Sequence, residues 1–210
     1  MKKAATFTVA CIGTLLLAGC THSNTTKKSA KDHYAIQQTP AQFKHDRAVE
    51  GINLANFNRI NIGNINDGTD GSSQQQVIKL FGNPEHVSRV FVKGVSKKTT
   101  QYIWKDVSSS FPVSKVKVQF LNHLAVGKSY FPTSKGNIKT IPKAKIKGLH
   151  LGTTYQSVID ALGTPNGQTI VGQGPLSGKY LLYAVGRKGS AYDLTFTDDK
   201  LNNKFKTSIY

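Results

Sequence analysis

The chain has 210 residues, a formal net charge of +17 and 38% hydrophobic residues. That length and apolar fraction suit one or two small domains with modest cores and exclude a wholly disordered chain. Its two cysteines, Cys11 and Cys20, exclude a disulfide-rich scaffold and cysteine-based zinc motifs, and the body holds no apolar run long enough to span a membrane as a helix.

Met1-Lys2-Lys3 is a short basic start, and the apolar run from Ala4 to Ala18 has the length of a signal-peptide core rather than of a span. The run closes on Leu17-Ala18-Gly19-Cys20, which resembles the lipobox of bacterial lipoproteins. The resemblance implies diacylglycerol transfer to the Cys20 sulfur and cleavage between Gly19 and Cys20. It predicts a signal peptide over residues 1–19 and a lipid anchor on the extracytoplasmic face of the cell membrane. Two acyl chains, at about 0.8 kcal/mol per buried methylene, suffice for stable anchoring. With Cys11 removed and Cys20 occupied, no thiol remains for nucleophilic or redox chemistry. Thr21 to about Gln42 is polar and without hydrophobic periodicity, so residues 20–56 read as the lipidated cysteine and a flexible tether. Part of Phe43 to Phe57, which carries Val49, Ile52 and Leu54, reads as a short helix.

The body then repeats itself. Gly71-Ser72-Ser73-Gln74-Gln75-Gln76-Val77-Ile78-Lys79-Leu80-Phe81-Gly82-Asn83-Pro84 recurs, at an offset of 81, as Gly152-Thr153-Thr154-Tyr155-Gln156-Ser157-Val158-Ile159-Asp160-Ala161-Leu162-Gly163-Thr164-Pro165. The hydroxyl pairs can cap a helix N-terminus. Val77, Ile78 and Phe81 make one apolar face, as do Val158, Ile159 and Leu162. Gly82 and Gly163 can end the helix, and Pro84 and Pro165 forbid its continuation. Strand-like segments follow at 86–95, 98–105, 113–121 and 124–131, and again at 167–172, 179–187, 191–197 and 201–210. Val116, Val118 and Phe120 alternate with Lys115, Lys117 and Gln119, so one face is buried and the other wet and cationic. Asn122-His123 and Asp198-Asp199 read as tight hairpin turns. The expected fold class is α+β: two tandem repeats, each a short N-terminal helical segment on a four-stranded antiparallel meander. They occupy residues 57–134 and 146–210, joined by a Lys-rich linker at 135–145.

The pattern Gly-hydroxyl-hydroxyl-x-x-x-Val-Ile-x-x-apolar-Gly-x-Pro with a later aromatic strand resembles the β-lactamase inhibitor protein-like superfamily. It is similar to small uncharacterised domains of that superfamily found in lipoproteins and secreted proteins of lactobacilli and their relatives. The superfamily also includes the small lipoprotein of the outer-membrane β-barrel assembly machine. The resemblance covers roughly Phe57 to Tyr210 and implies a non-catalytic binding module. The first copy departs from the second where Asn64-Ile65-Asn66-Asp67-Gly68-Thr69-Asp70 is longer and more polar. No inhibitory-loop residue can be carried over.

Chemistry is thin. The six histidines, at 22, 33, 45, 86, 123 and 150, form no metal-ligand pair. Asp67 to Gly71 lacks the spacing and closing glutamate of a calcium loop and reads as a turn. Glu50 and Glu85 are the only glutamates, and nothing nominates a catalytic carboxylate pair. Gly172 to Gly178 reads as a hairpin loop rather than a nucleotide loop. No cofactor, metal or catalytic residue is expected. Between Val107 and Ile159 there is no acidic residue and there are eight lysines. Of these, Lys115, Lys117, Lys135, Lys139, Lys143, Lys145 and Lys147 are the candidate surface for an anionic partner. Lysine-dominated charge favours diffuse attraction to a polyanion, which outside the cytoplasm means lipid headgroups or wall polymers rather than nucleic acid. Tyr102, Trp104, Tyr180 and Tyr183 are candidate protein-interface anchors, with core packing as the competing reading. The functional expectation is a lipid-anchored extracellular binding or scaffold module of the cell envelope, not an enzyme, for a protein or an anionic envelope polymer. The alternative is a protein inhibitor of a secreted or envelope enzyme.

Overall fold

The computed structural model describes residues 52–91, 98–105, 107–133, 138–186 and 189–209. The predicted signal peptide, Gly19, Cys20 and most of the predicted tether lie outside them, as does Lys135.

Among the described residues four α-helices form where local chemistry starts and stops them. In α1 (Leu54–Asn58), the Asn53 side chain accepts from the Asn56 N–H at 2.8 Å. In α2 (Gln74–Phe81), Ser73 Oγ accepts from Gln76 N at 3.2 Å while Gln76 Oε1 accepts from Ser73 N at 2.7 Å, a reciprocal capping box. Helix α3 (Lys143–Lys147) starts after Pro142. In α4 (Tyr155–Leu162), Thr154 Oγ1 accepts from Ser157 N at 3.2 Å. Gly82 and Gly163 end α2 and α4 with φ of 73° and 77°, a region a side chain would strain.

The strands are β1 (His86–Phe91), β2 (Lys98–Trp104), β3 (Val113–Leu121), β4 (Leu124–Pro132), β5 (Gly167–Val171), β6 (Gly178–Ala184), β7 (Ser190–Thr197) and β8 (Lys200–Ser208). Their spatial order is their sequence order, and each neighbouring pair is antiparallel. Asn122-His123 and Asp198-Asp199 all adopt positive φ, between 49° and 66°, the conformation of the two-residue hairpin turn whose twist matches its strands. A register shift adjoins each turn, between Gln119 and Phe120 and between Thr195 and Phe196.

The expected fold class requires correction. The chain builds one eight-stranded antiparallel sheet with few helices, not two separate four-stranded repeats. The join is β4 against β5, paired from Gly127↔Val171 to Tyr130↔Gln168. A lone four-stranded meander would leave β4 as an edge with unsatisfied N–H and C=O groups, and β5 satisfies them. That pairing links segments separated by some 40 residues, and no local pattern announces it.

One face of the sheet carries the helices. On it, Phe57, Val77, Phe81, Trp104, Val116, Val118, Phe120 and Tyr130 form one buried cluster. Ile146, Val158, Leu162, Leu181, Tyr183, Leu194, Phe196 and Leu201 form a second. The first reaches back to Ile52 and Leu54, and the second to Ile141, so packing extends outside the predicted limits at 57 and 146. Helix α3 starts within the predicted linker.

Polar side chains tie the short elements to the sheet, by the same contact in both halves. Trp104 Nε1 donates to Gly82 O at 3.1 Å, and Tyr183 Oη donates to Gly163 O at 2.8 Å. Lys128 Nζ on β4 donates to Phe57 O at 3.0 Å and Ile60 O at 2.8 Å. Lys204 Nζ on β8 donates to Ile146 O at 3.3 Å, Lys147 O at 3.2 Å and Leu149 O at 2.8 Å. Each lysine donates to carbonyls at and just beyond the C-terminal end of a helix, where a cation is favoured. Lys128 in addition lies 4.7 Å from the centre of the Phe57 ring.

Candidate functional site: the open face of the sheet

Side chains alternate across a sheet, so burial of one set fixes where the other set points. With Val116 and Val118 under the helices, Lys115 and Lys117 face the opposite way. Register then extends this face strand by strand. Ile103, Lys117, Ser129, Thr169, Tyr180, Thr195 and Asn203 form a continuous cross-strand row from β2 to β8. Beside it, Leu182, Asp193 and Phe205 are paired across β6, β7 and β8. Among the described residues no helix packs on this face; Ile65 covers one end, against Leu121 and Val126.

Its apolar groups run from Phe131 on β4 to Phe205 on β8. Phe131 receives the Nζ atoms of Lys115 and Lys117, each 5.1 Å from its ring centre. Desolvation, and secondarily the neighbouring Lys115 charge, lowers the Lys117 amine from its usual value. Phe205 is 42% exposed, high for an aromatic side chain on a sheet. Between β4 and β8 lies an open cavity of about 240 Å³, lined by residues that include Phe131, Thr169, Tyr180, Leu182, Asp193 and Thr207. Burial among these walls pushes the Asp193 carboxyl up to about 6. Among the described residues the Asp193 carboxylate makes neither a hydrogen bond nor a salt bridge.

The structure divides the residues singled out from sequence. Tyr102, Trp104 and Tyr183 are core, at 6%, 1% and 1% exposure, on the helix-covered face. They cannot act as surface anchors, because Tyr102 and Trp104 pack against each other and Trp104 against Phe81. Tyr183 is spent on Gly163. Tyr180 alone of the four lies on the open face. Lys115 and Lys117 share that face, whereas Lys143, Lys145 and Lys147 project from α3 on the other side of the sheet, and Lys139 is exposed between β4 and α3. The described lysines therefore form no single patch.

Sequence reasoning passed over Phe131, Leu182, Asp193 and Phe205. Asp193 had a signal: it interrupts the apolar Ala191-Tyr192-Asp193-Leu194, where period two sends it away from the core. Tyr180-Leu181-Leu182-Tyr183 is apolar throughout, so its pattern does not separate the faces. Among the described residues no three His, Cys, Asp or Glu side chains converge on a metal site. Asp67 accepts from the Thr69 N–H at 2.8 Å, a local turn.

Comparison with known proteins adds a family. The family model described as β-lactamase inhibitor (BLIP) matches residues 53–185. A solved structure of a candidate β-lactamase inhibitor protein from Streptococcus mutans has a similar fold, with a TM-score of 0.58 and 19% identity. The match covers 74% of this chain and 95% of that one. No curated protein matches the chain.

Proposed function

Because this chain belongs to the β-lactamase inhibitor family, we propose that it is a non-catalytic protein-binding module, held at the extracytoplasmic face of the cell membrane by lipid on Cys20. Its partner docks on the open sheet face. The observation that carries this reading is that face itself: it bears Phe131, Tyr180, Leu182 and Phe205, and no described helix covers it. Aromatic and large aliphatic anchors around a pocket, rimmed by charge, are what protein interfaces use. The lipobox supports the anchor and the tether gives the module reach. The internal repeat supports descent of the two halves from one unit. Inhibition of a secreted or envelope enzyme is the specific form of binding that the family's description favours.

A photo-crosslinking amino acid at Phe205 or Tyr180, in cells, tests the docking face. A discrete protein adduct from these positions, absent when the crosslinker replaces exposed Lys79 on α2, supports the reading. Adducts only from Lys79, or none at all, overturn it. Cys20→Ala tests the anchor separately: the protein should leave the membrane fraction, and retention there refutes the lipid.

Lys143, Lys145 and Lys147 are exposed and, among the described residues, make no salt bridge. They favour a second, salt-sensitive attraction of the helix-bearing side to an anionic envelope polymer.

A further inference from the structure

The open-face cavity has a chemistry more specific than a general docking surface. At about 240 Å³ it is smaller than the roughly 300–1,000 Å³ of small-molecule sites, and it suits one protein side chain. Its walls include the rings of Phe131 and Tyr180 and the Leu182 side chain, and one carboxylate, Asp193, lines it. A carboxylate taken out of water without a partner is costly, and a cation arriving from outside removes that cost. Among the described residues the ionisable groups around it are few. On this face β5 contributes Thr169 and no titratable group. On β6 Tyr180 is the titratable side chain, and on β8 Asn203, Phe205 and Thr207 carry no charge, with Lys200 at the far end of the strand. Lys115 and Lys117 lie beyond β4, engaged with Phe131.

We propose that this cavity receives a basic side chain, a lysine or arginine, projecting from the protein partner, with its cation paired to the Asp193 carboxylate and its methylene stem against Leu182, Tyr180 and Phe131. Such a stem buries apolar surface while its head stays polar, and aromatic rings attract the head as well. Lys115 and Lys117 restrict the partner further: the surface around the inserted residue must be neutral or acidic to lie on them. This rests on the open face being the docking surface, but its test needs no partner.

The full chain, ¹⁵N-labelled in non-ionic detergent, is titrated with propylguanidinium and butylammonium, and with neutral propylurea as control, at pH 7.5 and pH 4.5. The expected result is saturable amide shifts at Leu182, Asp193 and Phe205 with the cations at pH 7.5. These shifts are absent with propylurea and lost at pH 4.5, where the carboxyl is protonated. Asp193→Asn should weaken cation binding about tenfold, while Asp198→Asn, which removes the same charge from an exposed turn, should leave it unchanged. Equal response to propylurea, equal loss in Asp198→Asn, or no saturable shift at these amides overturns the proposal. The last outcome also covers a cavity already filled by a cation of this chain or of a second copy. None of these results touches the crosslinking test above.

Discussion

Lys128 is buried at 7% exposure under α1, with its ammonium on two carbonyls and one aromatic ring. Desolvation first, and the Lys179 charge second, lower its value from 10.5 to about 8. The unfolded chain thus holds this proton more tightly than the folded one. Between pH 8 and 10.5 unfolding takes up a proton, so stability rises with pH across that window. The destabilisation is fully present below pH 8. A shift of this size, at 1.36 kcal/mol per pH unit, corresponds to roughly 2–3 kcal/mol gained between pH 7 and pH 10. Lys117, also lowered, adds in the same sense. The buried Tyr130 and Tyr183 and the partly buried Tyr155, all raised by desolvation, oppose it as pH climbs past 10, where the unfolded phenols ionise first. Urea unfolding followed by Trp104, the chain's single tryptophan and a core residue, reads the effect without interference from other indoles. The urea midpoint should climb from pH 7.5 to pH 9.5 in the native chain, and most of that climb should vanish in Lys128→Met. A flat or falling midpoint in the native chain, or a climb that survives intact in the variant, refutes the burial of a charged amine under α1.

Asp193→Asn should stabilise the fold at neutral pH. Its carboxyl titrates higher in the folded chain than in the unfolded one, so ionisation costs stability as pH rises from about 4 to about 6, and that cost persists above. Discounted for partial solvent exposure, the gain at pH 7.5 is about 1 kcal/mol, and it should shrink towards zero at pH 4, measured as urea midpoints of variant and native chains. Tyr183→Phe keeps the ring in the core but orphans Gly163 O, and should lower stability by about 1–2 kcal/mol in thermal unfolding while leaving cation titration of the open face unchanged.

What could be read in advance was local. The limits of α2 and α4 follow from Ser73, Thr154, Gly82 and Gly163, because a cap and a left-handed stop act within one turn. The β3 faces follow from strict alternation, and the β3–β4 and β7–β8 turns from residues that tolerate positive φ. What could not be read depends on partners distant in sequence. Helices α1 and α3 have five residues each, too short to be stable alone, and they are held by burial of Phe57 and Ile146 and by lysines from strands β4 and β8. In sequence Lys143, Lys145 and Lys147 look like linker charge, and Ile146 between them gives the only hint of a core. Lys128 likewise looks like one more surface cation, although the fold buries it. Aromatic residues were the hardest to assign, because Trp104 and Tyr180 sit in similar strand contexts and only the register places one under a helix and the other in the open.

The satisfied and unsatisfied groups of this fold divide by face. On the helix-bearing side, Lys128, Lys204, Trp104, Tyr130 and Tyr183 each reach a backbone carbonyl, and among the described residues no fully buried side-chain polar atom lacks a partner. On the other side, the Asp193 carboxylate stands half-buried between Leu182 and Phe205, without a partner among the described residues. Folding alone gives no reason for that carboxylate, since an asparagine or threonine would fit the same strand at lower cost. On the proposed reading, a partner's cation would recover that cost on contact. The family to which the chain belongs and the bare sheet face support the proposed docking independently of the carboxylate.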